Sequence, residues 1–373
     1  MNADLGPIAV PHLPSGLDTP ALAIDLDIVE INAERMAAAM EARSIALRPH
    51  TKTHKSIALA RIQQAAGPGG LTVGTLGEAE VMAEAGFNDI FIAYPLWAAG
   101  PKAGRLRALH ERRDLRLLVG FDSALGAEQL AAAVAGSDRP LEVVLEIDPG
   151  YHRTGVPSVD AGTLALAAAH AGLTVAGVFT HGGHAYAGRD AVEPAAADEV
   201  AALDAAIDSL AVAGLEARVV SAGSTPTAAA AATAPVNEIR PGTYLLGDRI
   251  EVALGGSSPD GVAIAVAATV VSTAAPGTVV IDAGAKTLTK DLPPYLDGYG
   301  FLPAYPEAFI ERLSDYHGVI RIPEGTPAPR LGEIVAVIPN HACPVVDLHD
   351  TFIAHRSGSV VGVWPVDARG RSR

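Results

Sequence analysis

A cluster of basic side chains near residue 50 is the feature of this sequence that most clearly indicates chemistry. Residues 45–47 are apolar enough for a buried strand, and residues 48–55 then contain two histidines, two lysines and an arginine. A lysine held among cations and partly removed from water can act as a Schiff-base nucleophile. Lys52 stands at the end of the predicted strand and Lys55 lies just beyond it. A solvated basic loop is the alternative interpretation.

Two later segments also place polar residues directly after apolar runs. Residues 146–156 include Arg153, which could hold an anionic oxygen of a cofactor or substrate. Residues 180–186 carry His181 and Tyr186 around two glycines, which allow a ligand to approach closely. A charged loop tip is the alternative for the first segment, and a structural histidine for the second. Because barrel sites lie at the carboxyl ends of strands, both segments are typical of one site.

Small hydroxyl residues and glycines indicate an anion site after two further apolar runs. Residues 221–227 read Ser-Ala-Gly-Ser-Thr-Pro-Thr before an alanine-rich helical segment, and residues 240–244 read Arg-Pro-Gly-Thr-Tyr. Backbone N–H groups and hydroxyls before a helix bind anions, and barrels often build a phosphate site from the loops after strands seven and eight. N-capping by Ser224 or Thr225 is the simpler interpretation, and both roles can hold together.

His341 and the only cysteine, Cys343, form a pair of potential metal ligands. If residues 339–344 form a strand, positions i and i+2 face the same way, and the imidazole and the thiol point at one spot. Both groups are zinc ligands, and two protein ligands leave coordination positions open for water or substrate. On its own, a His-X-Cys pair is a weak indication.

The elements that must position these residues alternate between strand and helix. We predict eight strands, over residues 45–50, 70–75, 89–95, 115–120, 141–148, 174–181, 217–222 and 238–244, with alanine-rich helical segments among them. This pattern indicates a (β/α)8 TIM-type barrel, with an open doubly wound sheet as the alternative.

The pattern of predicted elements changes after residue 248: short strands are separated by glycine and proline, and no long amphipathic helix follows. We therefore predict an α/β fold with two domains. A barrel domain covers residues 21–250, and a β-rich domain covers residues 251–373 together with residues 1–20.

Charge and composition argue against several classes of partner. A net charge of −15 opposes binding to nucleic acid or to an anionic membrane surface, since both need basic patches. No apolar run reaches the roughly 20 residues of a membrane span. The first residues lack the basic start and apolar core of a signal peptide, and one cysteine forms no internal disulfide. We therefore expect a cytoplasmic protein.

The sequence Arg-Pro-His-Thr-Lys-Thr-His-Lys at residues 48–55 resembles the pyridoxal-phosphate segment of the D-threonine aldolase and D-serine dehydratase family. These proteins are relatives of alanine racemase with the same barrel-plus-β-domain architecture, and the resemblance extends over nearly the whole chain. It implies that Lys52 carries the cofactor and that Arg153 lies near its phenolic oxygen. It also places His181 against the pyridine ring or near the substrate hydroxyl, as a potential base, and Tyr186 in the cofactor pocket.

The same resemblance assigns the phosphate and the metal. The patterns Gly-Ser-Thr-Pro and Arg-Pro-Gly-Thr-Tyr match the family's phosphate cradle, which here comprises Gly223, Ser224, Thr225, Gly242 and Thr243. A divalent metal beside the cofactor is expected at His341 and Cys343. The cysteine form is typical of the family's zinc-dependent dehydratases, whereas several aldolases carry aspartate. Thiolate favours zinc over manganese as the metal.

Together with these residues, the resemblance implies a lyase that uses pyridoxal phosphate and a divalent metal, zinc or manganese, on D-β-hydroxy-α-amino acids. The favoured reaction is aldol cleavage of D-threonine to glycine and acetaldehyde, with His181 as base. Dehydration of D-serine to pyruvate and ammonia, with Lys52 as base at Cα, is the alternative. A racemase and a non-catalytic pyridoxal-phosphate-binding protein are further alternatives, and the β-rich domain argues against the latter. The resemblance also implies a homodimer.

Overall fold

The computed structural model describes residues 8–67 and 69–373. These residues form two compact units, each built from several segments of the chain. The barrel unit consists of Arg35–Lys52, Gln63–Gly242 and Gly370–Arg373. The sheet unit consists of the chain up to Glu34, Thr53–Ile62 and Thr243–Arg369. Within the described residues, no helix combines the length and the apolar character that a membrane span requires.

Eight parallel strands form the sheet of the barrel unit; the first strand of the chain, β1 (Ala21–Asp25), belongs to the sheet unit. The eight are β2 (Ala46–Leu47), β3 (Leu71–Val73), β4 (Asp89–Pro95), β5 (Arg116–Phe121), β6 (Glu142–Glu146), β7 (Thr174–Phe179), β8 (Val219–Ala222) and β9 (Glu238–Ile239). They are hydrogen-bonded in the order β2-β9-β8-β7-β6-β5-β4-β3. A parallel bridge between His50 and Thr72 connects the segment after β2 to β3.

Helices alternate with these strands, as the alanine-rich segments predict. They are α1 (Leu26–Glu41), α2 (Ile57–Ala66), α3 (Leu76–Glu84), α4 (Pro101–His110), α5 (Ala124–Ala133), α6 (Ala161–His170), α7 (Val192–Val212) and α8 (Ala228–Ala231). Small residues let α6 and α7 approach closely: a Cβ at Gly162 would lie 2.3 Å from the carbonyl oxygen of Ser209. Thr75 and Ser123 cap the N-termini of α3 and α5 with their side chains.

The interior of the barrel unit contains an apolar cluster from neighbouring strands, comprising Phe91, Leu118, Val144, Ala176 and Phe179. The rings of Phe91 and Phe179 meet edge to face, with their centroids 5.1 Å apart. Burial of these side chains is the main favourable contribution to packing the strands together.

A chain of buried polar groups runs through the same unit. Arg48 Nε donates to Glu238 Oε2 (2.6 Å), and Arg48 Nη1 donates to Asp89 Oδ1 (2.7 Å). Ser221 Oγ donates to Glu238 Oε1 (2.6 Å) and accepts from Arg240 Nη1 (2.5 Å). Because buried charges are costly unless they are paired, each of these groups depends on the others.

The sheet unit contains one eight-stranded, mostly antiparallel sheet. Besides β1 it comprises β10 (Ile264–Ser272), β11 (Thr278–Ile281), β12 (Phe309–Leu313), β13 (Gly318–Arg321), β14 (Ile334–Val337), β15 (Thr351–Arg356) and β16 (Ser359–Pro365). The order is β12-β13-β11-β10-β1-β15-β16, with β14 also paired to β10. The described helices here, apart from α1 and α2, are short: α9 (Arg249–Leu254), α10 (Ala285–Leu288) and α11 (Ala342–Asp347). The predicted fold class, a barrel followed by a β-rich domain, is confirmed.

The placement of β1 differs from the sequence prediction, which put residue 21 at the start of the barrel domain. β1 pairs with β10 in antiparallel and with β15 in parallel orientation. Its central residues Leu22, Ala23 and Ile24 are all buried, as in a strand whose sheet is covered on both faces. The apolar residues of β1 would suit a barrel strand as well as a central strand of the second sheet, so the sequence alone does not distinguish the two placements. Residues 1–7 of the predicted lead-in lie outside the described residues.

We expect the ion pairs of Arg48 to be essential to the barrel unit. The substitution Arg48→Met should lower the free energy of unfolding by about 3–5 kcal/mol, because it removes the guanidinium that contacts both buried Glu238 and Asp89. Urea denaturation followed by circular dichroism measures the change. The control is Arg113→Met, which removes an exposed pair with Asp138 and should cost less than about 1 kcal/mol. Equal, small losses in both variants would contradict this account.

Candidate active site

Lys52 lies in the first turn after β2, at the carboxyl side of that strand. A 3-10 helix spans Thr51–Thr53, and the N–H of Lys52 donates to Nδ1 of His50 (3.3 Å). The side chain of Lys52 is exposed, and within the described residues its ammonium forms no hydrogen bond or ion pair. An amine in this state is open to covalent attachment of a ligand.

Lys55, the other candidate, is committed to a different partner. It is buried, and its Nζ lies 2.7 Å from Oδ1 of Asp347 in the sheet unit, to which Lys55 itself belongs. Its backbone φ of +50° is unusual for a residue other than glycine. An ammonium held by a carboxylate is a poor nucleophile, so the arrangement favours Lys52 as the reactive lysine.

His181 follows β7, which ends two residues earlier than predicted, at Phe179. Burial lowers the pKa of the His181 imidazole well below its usual value, and the nearby cations Lys52, Arg153 and Arg240 lower it further. The imidazole is therefore neutral near pH 7 and can accept a proton.

The residues around His181 restrict its ring. The ring of Tyr151 stands edge-on to His181, with the centroids 6.0 Å apart. Tyr151 also packs against Gly183, where a Cβ would come within 2.3 Å of its ring. A 3-10 helix, Gly183–Ala187, follows and holds Tyr186 in a half-buried position. Glycine at position 183 is thus required for the aromatic contact.

Arg153 lies in the loop after β6 and is half-exposed. Its Nη2 is 4.0 Å from Oε1 of Glu146, and its guanidinium lies 5.7 Å from the centre of the Tyr151 ring. Burial raises the pKa of Glu146 to about 7, although the hydrogen bond from Thr154 Oγ1 (2.9 Å) opposes this shift. Arg153 is therefore accessible to an anionic ligand while a buried carboxyl lies behind it.

The predicted phosphate residues after β8 form a tight loop. Gly223 has a φ of +80°, which favours glycine, and Ser224 and Thr225 are almost fully buried. The Ser224 N–H donates to Thr227 Oγ1 (2.9 Å). The alanine-rich helix that we predicted here is only one turn, α8, so the loop itself and not a helix dipole would have to bind an anion.

Glu199 on α7 is a buried residue that the sequence analysis missed. Its Oε1 accepts from the N–H of Gly182 (2.9 Å) and from the N–H of Gly223 (3.1 Å). It therefore connects the loop of His181 to the predicted phosphate loop. A glutamate on an alanine-rich helix is usually taken as solvated, and no local pattern in the sequence distinguishes this one.

Arg240, at the end of β9, was also not singled out as a site residue. It is buried, donates to the carbonyl of Thr180 (2.6 Å), and lies over the rings of Phe91 and Phe179. The Arg-Pro-Gly pattern at residues 240–242 was the available signal. Of the two predicted phosphate residues that follow, Gly242 belongs to the barrel unit and Thr243 to the sheet unit.

The predicted metal pair lies in the sheet unit, and its local structure differs from the prediction. His341 is extended and precedes α11, and Cys343 is the second residue of that helix, so the strand geometry is wrong. The imidazole and the thiol are nevertheless within hydrogen-bonding reach of each other. Sγ of Cys343 also lies 3.2 Å from Oγ1 of Thr53 and 3.7 Å from that of Thr243.

The residues around this pair suit a divalent cation. Burial lowers the pKa of His341, but Cys343 and Asp291 outweigh it and raise the pKa to about 11. The surroundings of the imidazole thus favour positive charge. Among the described residues, no group of three or more His, Cys, Asp or Glu side chains forms a complete metal cage. A two-ligand site leaves positions for water or substrate, as a catalytic metal requires.

The barrel unit likewise offers groups that suit pyridoxal phosphate. An exposed amine (Lys52), a neutral imidazole (His181), an accessible guanidinium (Arg153) and a hydroxyl-rich loop match the aldehyde, ring, phenolic oxygen and phosphate of that cofactor in chemical kind. These assignments stay predictions.

Comparisons with known proteins agree with this division. Residues 24–250 match the family described as alanine racemase, N-terminal domain, and residues 263–355 match a putative serine dehydratase domain. The chain is 36% identical to D-threo-3-hydroxyaspartate dehydratase of Delftia sp. (strain HT23), covering 93% of this chain and 97% of that protein. It is 33% identical to D-threonine aldolase of Arthrobacter sp, covering 99% and 97%.

Solved structures give the same result. D-threonine aldolase from Filomicrobium marinum superposes with a TM-score of 0.86 at 32% identity, covering 98% of this chain and 99% of that one. Two variants of D-threo-3-hydroxyaspartate dehydratase, each 33% identical, superpose with TM-scores of 0.86 and 0.85. They cover 94% of this chain and 95% and 97% of theirs. One replaces a histidine by alanine; the other replaces a cysteine two positions later and is described as metal-free.

Both family models match, and identity to the relatives exceeds 30% over almost the full length. These findings establish the family of the chain. The chain belongs to the family that combines an alanine racemase N-terminal domain with a serine dehydratase domain, and it is an enzyme of the pyridoxal-phosphate lyase family.

Proposed function

We propose that this enzyme acts on D-3-hydroxy amino acids, with pyridoxal phosphate on Lys52 and a divalent metal ion at His341 and Cys343. The substrate class is supported by the relatives, which are named for D-threonine and for 3-hydroxyaspartate. The sites are supported by the exposed amine of Lys52 and by the adjacent imidazole and thiol.

The two bound groups would supply an electron sink for a bond broken at Cα and a Lewis acid for a substrate oxygen. The protein's own groups supply the remaining steps. The Lys52 amine would accept the Cα proton, and Arg153 would bind an anionic oxygen. His181, which is neutral, would accept a hydroxyl proton at a ring nitrogen.

The His341–Cys343 pair is the observation on which our choice of reaction rests. A histidine and a cysteine with the same spacing are the positions substituted in the two dehydratase variants. We therefore place dehydration ahead of the aldol cleavage that the sequence analysis favoured. Loss of the Cα proton and the β-hydroxyl as water gives an enamine, which water hydrolyses to a 2-oxo acid and ammonia.

Aldol cleavage of D-threonine is the second candidate, because a specific observation favours it. Cleavage of Cα–Cβ needs an acceptor for the hydroxyl proton, and because burial and neighbouring cations lower the pKa of His181, one of its ring nitrogens is unprotonated near pH 7. We propose zinc as the metal because thiolate ligands favour it.

The homodimer that the family resemblance implies stays a prediction.

The products formed from D-threonine separate the two reactions. Dehydration should give 2-oxobutanoate and ammonia in equal amounts, whereas cleavage should give glycine and acetaldehyde. D-3-Hydroxyaspartate extends the test, since it should give oxaloacetate and ammonia or glycine and glyoxylate. Chromatography of the products decides the question. Glycine without any 2-oxo acid would overturn the dehydratase proposal, and interconversion of L- and D-alanine alone would overturn both.

We expect the cofactor to be attached to Lys52. Borohydride should fix it covalently, and peptide mapping should find it on Lys52 and not on Lys55. Lys52→Ala should lower turnover by at least about 10²-fold, because the variant loses the attachment point and the base at Cα. The control is Lys102→Ala, which removes a partly exposed lysine of α4 in the barrel unit and should leave turnover unchanged. A label on Lys55 would contradict the assignment.

Chelation should remove activity and leave the absorbance of the bound cofactor in place, since we assign the metal and the cofactor to different residues. Added zinc should restore turnover. Cys343→Asp should retain part of the activity and shift the preference towards manganese, because carboxylate suits harder ions than thiolate does. Elemental analysis measures the metal in each variant. A full equivalent of metal in His341→Ala would refute the site.

A further inference from the structure

An aspartate holds the outer nitrogen of the proposed metal ligand His341. Oδ2 of Asp291 lies 2.7 Å from Nδ1 of His341. Both side chains are partly exposed, at 46% and 36%. An ion pair this exposed contributes little to the stability of a fold. Stability therefore does not explain why the pair is present.

Buried groups fix the position of Asp291. Asn340, which is 1% exposed, donates through Nδ2 to the carbonyl of Asp291 (2.8 Å) and to that of Gly298 (2.9 Å). Its Oδ1 accepts from Nη1 of Arg249 (3.2 Å), and the same Nη1 donates to the carbonyl of Asp297 (2.5 Å). Since Asn340 directly precedes His341 in the chain, one anchor sets the position of the imidazole and of its carboxylate partner.

A second carboxylate, which is buried, fixes the backbone between the two ligands. Oδ2 of Asp248 accepts from the N–H of Ala342 (2.8 Å), and its Oδ1 accepts from the N–H of Glu251 (2.8 Å). Asp248 thereby ties the first residue of α11, next to Cys343, to the N-terminus of α9. The backbone on either side of His341, at Asn340 and at Ala342, is thus held by buried polar groups.

We propose that Asp291 is the positioning residue of the metal site: it accepts the Nδ1–H of His341 and so directs Nε2 to the cation. The inference rests on the metal site of the proposed function. A carboxylate on the outer nitrogen fixes the tautomer and ring orientation of a ligating histidine and increases its basicity. The ligand is a divalent cation that accepts nitrogen and sulfur, such as zinc or cobalt.

Metal affinity tests the inference without reference to turnover. Apo-protein carrying Asp291→Ala should bind zinc about 10–100-fold more weakly than the parent in competition with a chromogenic chelator. Asp291→Asn should lie between them, because its amide oxygen still accepts the Nδ1–H but carries no charge. The matched control is Asp315→Ala, which removes an exposed aspartate of the same unit that is paired with Lys286 and should leave the affinity unchanged.

Cobalt separates positioning from loss of the site. At saturating cobalt, Asp291→Ala should still show the charge-transfer absorption of a cobalt–thiolate bond, since Cys343 is unchanged. Absence of that band would mean that the site has collapsed and would overturn a positioning role. Parental zinc affinity in Asp291→Ala together with loss of affinity in His341→Ala would also overturn it, while the metal site itself would stand. Parental affinity in His341→Ala would refute the inference and the proposed metal site together.

Discussion

The buried guanidinium of Arg240 is the group on which the carboxyl ends of several barrel strands depend. A guanidinium has five N–H donors and keeps its charge, so inside the protein it must be surrounded by acceptors. It contacts the carbonyl of Thr180 after β7 and the hydroxyl of Ser221 in β8, and it extends from the end of β9 itself. Three strand ends are thereby fixed to one side chain.

The same cation shapes the electrostatics of the site. Burial lowers the pKa of His181, and Arg240 is one of several positive groups that lower it further. Burial lowers the pKa of Arg240, and the neighbouring groups Glu238, Glu199 and Glu146 oppose that shift. Glu199 links two loops of the site, because its oxygen Oε1 accepts hydrogen bonds from the loop after β7 and from the loop after β8. Buried charged residues thus position the candidate site residues of the barrel unit, although its outer helices consist mainly of alanine.

Much of this arrangement could be predicted from the sequence, because apolar runs that end in polar clusters are a local pattern. Lys52, Arg153 and His181 each follow a strand close to where the pattern places it. His341 and Cys343 were chosen correctly as neighbours in space but for the wrong reason, because α11 and not a strand brings them together.

The features that the sequence could not predict depend on partners far away in the chain. Glu199 contacts residues 17 and 24 positions distant, and Asp291 meets His341 across 50 positions. Spacing and periodicity describe only near neighbours, so these carboxylates resembled ordinary surface charges. For β1 the pattern was present but ambiguous, since two different sheets can bury the same short apolar strand.

The interleaving of the two units limits how proteins of this type can be recombined. The chain passes from one unit to the other at residues 34–35, 52–53, 62–63, 242–243 and 369–370. A gene fusion with a single junction near residue 250 would carry β1 away from both β10 and β15, its partners in the sheet. Those two strands would each lose a neighbour in the middle of the sheet and expose unpaired backbone groups. A chimera with a new substrate range therefore needs several matched junctions, and point substitution is the shorter route.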